Sequence, residues 1–226
     1  MPGGRSKLPV LAEIAGPASG NAQAWSLRRS DLEALEKLLG RLGEGRTLLV
    51  TGSERLSGAL AVALAGAACA AGRRTALLEC ELSRPRLAAE VALAEGPGLH
   101  EYLRWEASAP QILQPLVLAG PAAARARQHL VCVVGGRPAA DPATLLGLDS
   151  FRHATAKLRE AYELVVLDGP GLDADGDALA VVAAQADALL VCLAPDQVGG
   201  RAGRAMRGAV RRLPLAPLGA VVLNDG

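Results

Sequence analysis

The sequence predicts an α/β protein, a mostly parallel β-sheet with helices on both of its faces. Three observations predict it. Short apolar runs rich in Val and Leu alternate along the chain with longer helical patterns, the order that parallel sheets require. One run, Arg46 to Thr51, enters a turn at Gly52-Ser53 and leaves it in a long Ala/Leu helical pattern through Ala71. That strand, turn and helix form the place where such sheets hold a phosphate. Acids then close two other runs, Glu79 and Glu81 on one and Asp168 on another. The carboxyl ends of parallel strands are where α/β sheets bind ligands.

Taken in order, residues 1–25 read as a leader or linker, with Leu8-Pro9-Val10-Leu11 as a short docking segment, and residues 26–226 as one domain. Ser30-Asp31-Leu32-Glu33 reads as a capping box that starts a helix, and Leu32, Leu35, Leu38, Leu39 and Leu42 give it an apolar face. Gly43-Glu44-Gly45 stops it. The strand at 46–51 and a helix at about 55–71 follow, then a second buried strand, Thr75–Glu81. Residues 84–114 carry short helical patterns broken at Gly96-Pro97-Gly98 and Pro110. His129–Val134 reads as a third strand, and a helix after Pro142 puts Phe151, Ala154, Leu158 and Tyr162 on one face. Leu164–Asp168 is a fourth strand, stopped by Gly169-Pro170-Gly171. A helix at 176–186, a strand at Ala188–Leu193, a helix at about 197–213 and a strand at Ala220–Leu223 complete the series.

A chain of 226 residues suits one such domain with a sizeable core. Aromatic residues are only 2%, so Ala, Leu and Val must fill that core. The net charge of +1 gives no global field toward nucleic acid or membrane. Cys69, Cys80, Cys132 and Cys192 sit singly in apolar runs, which fits buried thiols in a reducing cytoplasm better than disulfides or a metal centre. His100, His129 and His153 lack ligand spacing and read as surface or structural. The N-terminus does not read as a signal peptide. No stretch reaches the roughly 18 apolar residues of a membrane span, so the expectation is a cytoplasmic protein.

The turn at Gly52 lacks what a phosphate loop should carry. The pattern Gly-x-x-x-x-Gly-Lys-Ser/Thr needs a lysine to reach the β- and γ-phosphates and a hydroxyl for magnesium. Here five residues separate Gly52 from Gly58, and Ala59-Leu60 stand where Lys-Ser/Thr would be. The lysines of the chain are Lys7, Lys37 and Lys157, none near the turn. Gly52, Ser53, Glu54, Arg55, Ser57 and Gly58 are thus the residues of a relic nucleotide loop. Asp168 has the position of a magnesium-positioning carboxylate. Glu79 and Glu81, two apart, fall on one side of their strand and either join it around Mg²⁺ or cap the strand end. On the late helix, Arg201, Arg204, Arg207 and Arg211 recur every three or four residues and make a basic stripe. It suits an anionic polymer, a membrane surface or an acidic partner, or else a solvated face.

Several segments together resemble one family: Leu48-Leu49-Val50-Thr51, Leu77 through Leu87 with its Ser83-Arg84-Pro85-Arg86, Gly96-Pro97-Gly98-Leu99, Tyr162 through Gly171, and Val221-Val222-Leu223-Asn224. The set resembles the cytoplasmic domain of bacterial tyrosine autokinases of capsule and exopolysaccharide synthesis, relatives of the partition and septum-site ATPases. The resemblance implies a P-loop NTPase-like fold over 26–226. It implies ATP and Mg²⁺ as cofactors if the site works, and Asn224 as a reader of the adenine ring. It also implies a membrane-anchored polysaccharide co-polymerase or an active kinase relative as partner, which would hold this chain at the inner face of the membrane. The departures are as informative. The loop lysine has no counterpart; its place falls to Ser57 or Ala59. Both acids of the second strand are glutamates. The ring-forming Glu-x-x-Arg-x-x-Arg helix, aligned at Glu33, finds Glu36 and Leu39 at its arginines, which leaves a homo-oligomer open. Only Tyr102 and Tyr162 remain as tyrosines.

The expectation is a degenerate, catalytically inactive docking or regulatory module of exopolysaccharide or capsule biosynthesis or export. Two alternatives stand beside it. One is an active ATPase or tyrosine kinase in which Arg55 supplies the cation and Asp168, with Glu79 and Glu81, the metal site. The other is a partition-type protein that uses the arginine stripe on DNA, a partner the balanced charge disfavours.

Overall fold

The computed structural model describes residues 8–15, 28–53, 56–118, 120–126, 130–172 and 176–224. Glu54, Arg55, His129 and most of the leader lie outside the described residues. Eight strands form one sheet: β1 (Val10–Ala15), β2 (Thr47–Gly52), β3 (Thr75–Glu79), β4 (Gln114–Leu116), β5 (Leu130–Val133), β6 (Leu164–Asp168), β7 (Ala188–Leu193) and β8 (Pro217–Asn224). Their order across the sheet is β1-β8-β7-β2-β6-β3-β5-β4. Every pairing is parallel except the antiparallel edge pair β4–β5. The central strands are buried on both sides and so read as continuous apolar runs instead of alternating ones.

The α-helices in chain order are α1 (Arg29–Leu39), α2 (Ser57–Ala70), α3 (Leu87–Glu90), α4 (Leu99–Leu103), α5 (Ala109–Ile112), α6 (Gly120–Arg125), α7 (Pro142–Leu146), α8 (Asp149–Ala161), α9 (Gly176–Ala183) and α10 (Gly200–Val210). Helices α1, α2 and α6 pack on one face of the sheet, against Leu48, Val50, Leu77 and Val166. Helices α4, α7, α8 and α9 pack on the other, against Leu49, Leu78, Val165 and Leu167, with Phe151 at their centre. Helix α10 covers β7 and β8 through Met206 and Val210. Helix α2 is apolar all round because it lies buried between the sheet and α1 and α6. Its run of alanines lets these layers approach closely.

Four local expectations change. Helix α1 starts earlier than Ser30: Arg28 holds the N-cap position with no side-chain cap, and the Asp31 carboxylate accepts instead from Arg28 Nε at 2.8 Å. An acid in the first turn suits the positive end of the helix dipole. The leader segment at 10–15 is a strand, parallel to β8. Gln114, the last residue of the expected helical patterns, instead opens the edge strand β4 with Pro115 and Leu116, where proline costs no ladder bond. The Gln114 side chain also accepts from Ala94 N–H and donates to Ala94 C=O, both at 2.9 Å. The second strand stops at Glu79, because the Glu81 carboxylate binds the Ser83 and Arg84 amides and turns the chain.

Candidate functional site

The parallel order brings the carboxyl ends of β2, β3 and β6 side by side. In register, Glu79 of β3 and Val50 of β2 flank Asp168 of β6 on its two sides. The turn after β2 is stitched to its neighbours. Thr51 Oγ1 donates to Pro170 C=O at 2.6 Å, and Leu172 N–H donates to Gly52 C=O at 3.1 Å. Ser53 N–H donates to Cys192 C=O at 3.0 Å, while Ser53 C=O accepts from Leu56 and Ser57 at 2.9 Å each. Gly52 sits at φ +141°, and a Cβ there would fall 2.0 Å from Cys192 O. Glycine at 52 is therefore required by the close passage of β2 along β7. The amides of Ser53 and Ser57, which a phosphate loop would turn toward its ligand, are bonded within the protein.

The acids converge on the start of α2. Ser57, Gly58, Glu79, Glu81, Arg86, Glu90 and Asp168 line one cleft, with Leu87, Gly169 and Gly171. Its volume is about 10 Å³, room for one water or one ion. A Cβ on Gly58 would lie 3.1 Å from Glu90 Oε2 and 3.3 Å from Asp168 Oδ2, so two carboxyl groups stand directly over this glycine.

Each acid has a different environment. Glu79 is 1% exposed, and its carboxylate accepts from Arg86 N–H at 2.6 Å, Leu87 N–H at 2.8 Å and Gly135 N–H at 2.6 Å. It ties β3 to the start of α3 and to the loop after β5. Burial pushes its pKa up, against those three amides. Glu81 gives Oε1 to Ser83 and Arg84, while its buried Oε2 has no partner. Burial also raises Glu90, the charge of Arg86 working against it and that of Glu79 with it. Asp168 is held well above the ordinary carboxylate range by burial and then by the charges of Glu79, Glu90 and Glu81, with Arg86 as the opposing cation.

These residues do not fit a metal held by the acid cluster itself. Both oxygens of Glu79 and one of Glu81 are engaged by backbone amides, and no group of three or more acids, histidines or cysteines among the described residues could hold a metal ion. Nor does the cleft, as folded, offer space for a chain of phosphates.

Of the residues expected in the site, Ser57, Gly58, Glu79, Glu81 and Asp168 come together. Gly52 and Ser53 lie in the turn beneath them. Glu54 and Arg55 lie outside the described residues. Asn224 ends β8, exposed, three strands from Asp168 along the sheet. Arg86 and Glu90 were not expected in the cleft, although Arg86 belongs to the Arg84-Pro85-Arg86 segment. The only advance signal was the turn that must follow an acid-ended strand. Among the described residues no helix is long and apolar enough to cross a membrane.

No protein-family model and no curated protein matches the chain. Solved structures do match its fold. The kinase domain of the Escherichia coli tyrosine kinase ETK superposes with a TM-score of 0.76 at 18% identity, covering 96% of this chain and 91% of that one. The BceF tyrosine kinase domain gives 0.76 at 17%, with 97% and 94% covered. The septum site-determining protein MinD of Pyrococcus horikoshii, complexed with Mg-ADP, gives 0.55 at 13%, with 78% and 69% covered. The chain therefore has the P-loop NTPase-like fold of bacterial tyrosine kinase domains.

Proposed function

We propose that this chain is a degenerate, catalytically inactive counterpart of the bacterial tyrosine autokinases. It would act as a docking or regulatory module in exopolysaccharide or capsule biosynthesis or export. Its partner would be a membrane-anchored polysaccharide co-polymerase or an active kinase. One observation carries the reading: the carboxyl groups of Glu90 and Asp168 stand over Gly58, at the helix start where this fold receives phosphates. Phosphoryl transfer rests on positioning and on neutralising phosphate charge. A site lined by four acids and one arginine supplies little charge to neutralise phosphates. The lysine-free loop and the bonded Ser53 and Ser57 amides support the same reading.

Complementation tests it. In a strain that depends on this chain for polymer export, Asp168→Asn should support export as well as the wild-type chain does. Loss of export with the variant folded would count against an inactive module.

A second reading, an ATPase of altered loop chemistry, is favoured by Arg86, the one cation lining the cleft among the described residues. Arginine does not replace a loop lysine conservatively, being longer and forked. Magnesium-dependent ATP turnover lost in Arg86→Ala would establish that reading.

A further inference from the structure

At the far flank of the sheet from the acid cluster, α10 and the start of β1 enclose a groove of about 930 Å³. Leu8, Leu193 and Met206 give it apolar surface, and Arg204, Arg207 and Arg211 line it from α10. It shares no lining residue with the acid cleft. Helix α10 is held close to the turn before it, since a Cβ on Gly203 would meet Gln197 O at 2.5 Å. That contact explains a glycine that intrinsic propensity alone would exclude.

Two features are unusual together. Among the described residues no acid lines the groove, and none of the three arginines has an ion pair. Elsewhere this chain pairs its arginines freely, Arg28 with Asp31, Arg125 with Glu36, Arg137 with Glu101 and Arg159 with Asp187. Beside the groove starts β1, which among the described residues is an edge strand paired with β8 alone. Val10 and Val198 leave 42% of their surface exposed at this groove.

We infer that the groove receives an extended acidic peptide segment, laid along the start of β1, with carboxylates on Arg204, Arg207 and Arg211. An unpaired edge offers main-chain hydrogen bonds to an added strand, while alternate side chains meet the surface beside it. The apolar component and the concave shape favour a single extended chain. A flat bilayer or a duplex would meet the arginines without filling the space between them and β1. Failure of this inference leaves the nucleotide reading untouched, because the two sites share no residue.

The test uses the purified chain and a fluorescein-labelled peptide of alternating glutamate and valine, six residues long to match β1, with a lysine–valine peptide as control. Anisotropy should give saturable binding of the acidic peptide, weakening as salt rises. Arg204→Glu with Arg207→Glu should reduce affinity at least about tenfold. Arg211→Glu alone, on the exposed end of α10, should weaken it in the same direction if the double variant fails to fold. Amide exchange of residues 10–15 should slow on binding. Absence of saturable binding, equal binding of the lysine peptide, or affinity unmoved by the charge reversals would overturn the inference. So would preferential binding of duplex DNA or phosphatidylserine vesicles through the same arginines.

Discussion

Glu79 and Asp168 stand opposite each other on adjacent parallel strands, in register, yet their carboxyl groups do different work. Glu79 is saturated by three backbone amides and fixes the loops around the cleft. Asp168, beside it, is buried among like charges that hold its proton in place. The extra methylene of glutamate lets residue 79 reach across to Gly135, in the loop after β5. An acid that could have held a metal thereby becomes a brace.

Replacing Glu79 by glutamine puts an N–H₂ where a buried amide now donates. The variant should lose about 1–3 kcal/mol of stability. Urea unfolding would register it as a lower midpoint with an unchanged slope. An unchanged midpoint would mean the three amides find other partners.

Asp168→Asn should stabilise the protein. The folded state holds the proton of Asp168 well above the ordinary aspartate pKa, at which the unfolded chain already releases its own. Stability from this group is therefore fully present below that value and declines as pH rises toward the elevated folded pKa. Thermal melts across pH 5 to 8 should show the wild type falling more than the asparagine variant. Equal slopes would remove the buried proton from the account.

Gly52→Ala should be among the most damaging single changes, because both the +141° backbone and the 2.0 Å approach to Cys192 O exclude a side chain. A loss of about 3 kcal/mol or more is expected from strain and strand displacement together, measured by denaturant unfolding. A loss below about 1 kcal/mol would show that β2 and β7 can separate at this point.

The four cysteines are buried. Burial and the nearby acids push Cys132 and Cys192 up to about 12 and raise Cys80 as well, while burial alone raises Cys69. A thiol reagent at neutral pH should leave all four unmodified until the chain unfolds. Rapid labelling of any of them in native buffer would contradict the burial described.

Much of this fold could be read in advance where burial dictates residue type. Strands β6 and β7 begin and end where their apolar runs do, because glycine and acid turns bound them. The edge strands β1 and β4 escaped because only one of their neighbours is a strand, so few of their positions are forced to be apolar. The cleft was half legible. Ser57, Gly58 and the acids of β3 and β6 follow from strand ends alone. Arg86 and Glu90 arrive through the turn after β3, and Gly135, which anchors Glu79, lies 56 residues away. Sequence spacing carries no record of contacts like these.

The most direct measurement is calorimetric titration of the purified chain with ATP and with ADP, each with and without Mg²⁺. The carboxyl groups over Gly58 predict no saturable heat in any of the four titrations. Magnesium-dependent, saturable binding that Asp168→Asn abolishes would contradict the account and restore an active nucleotide site.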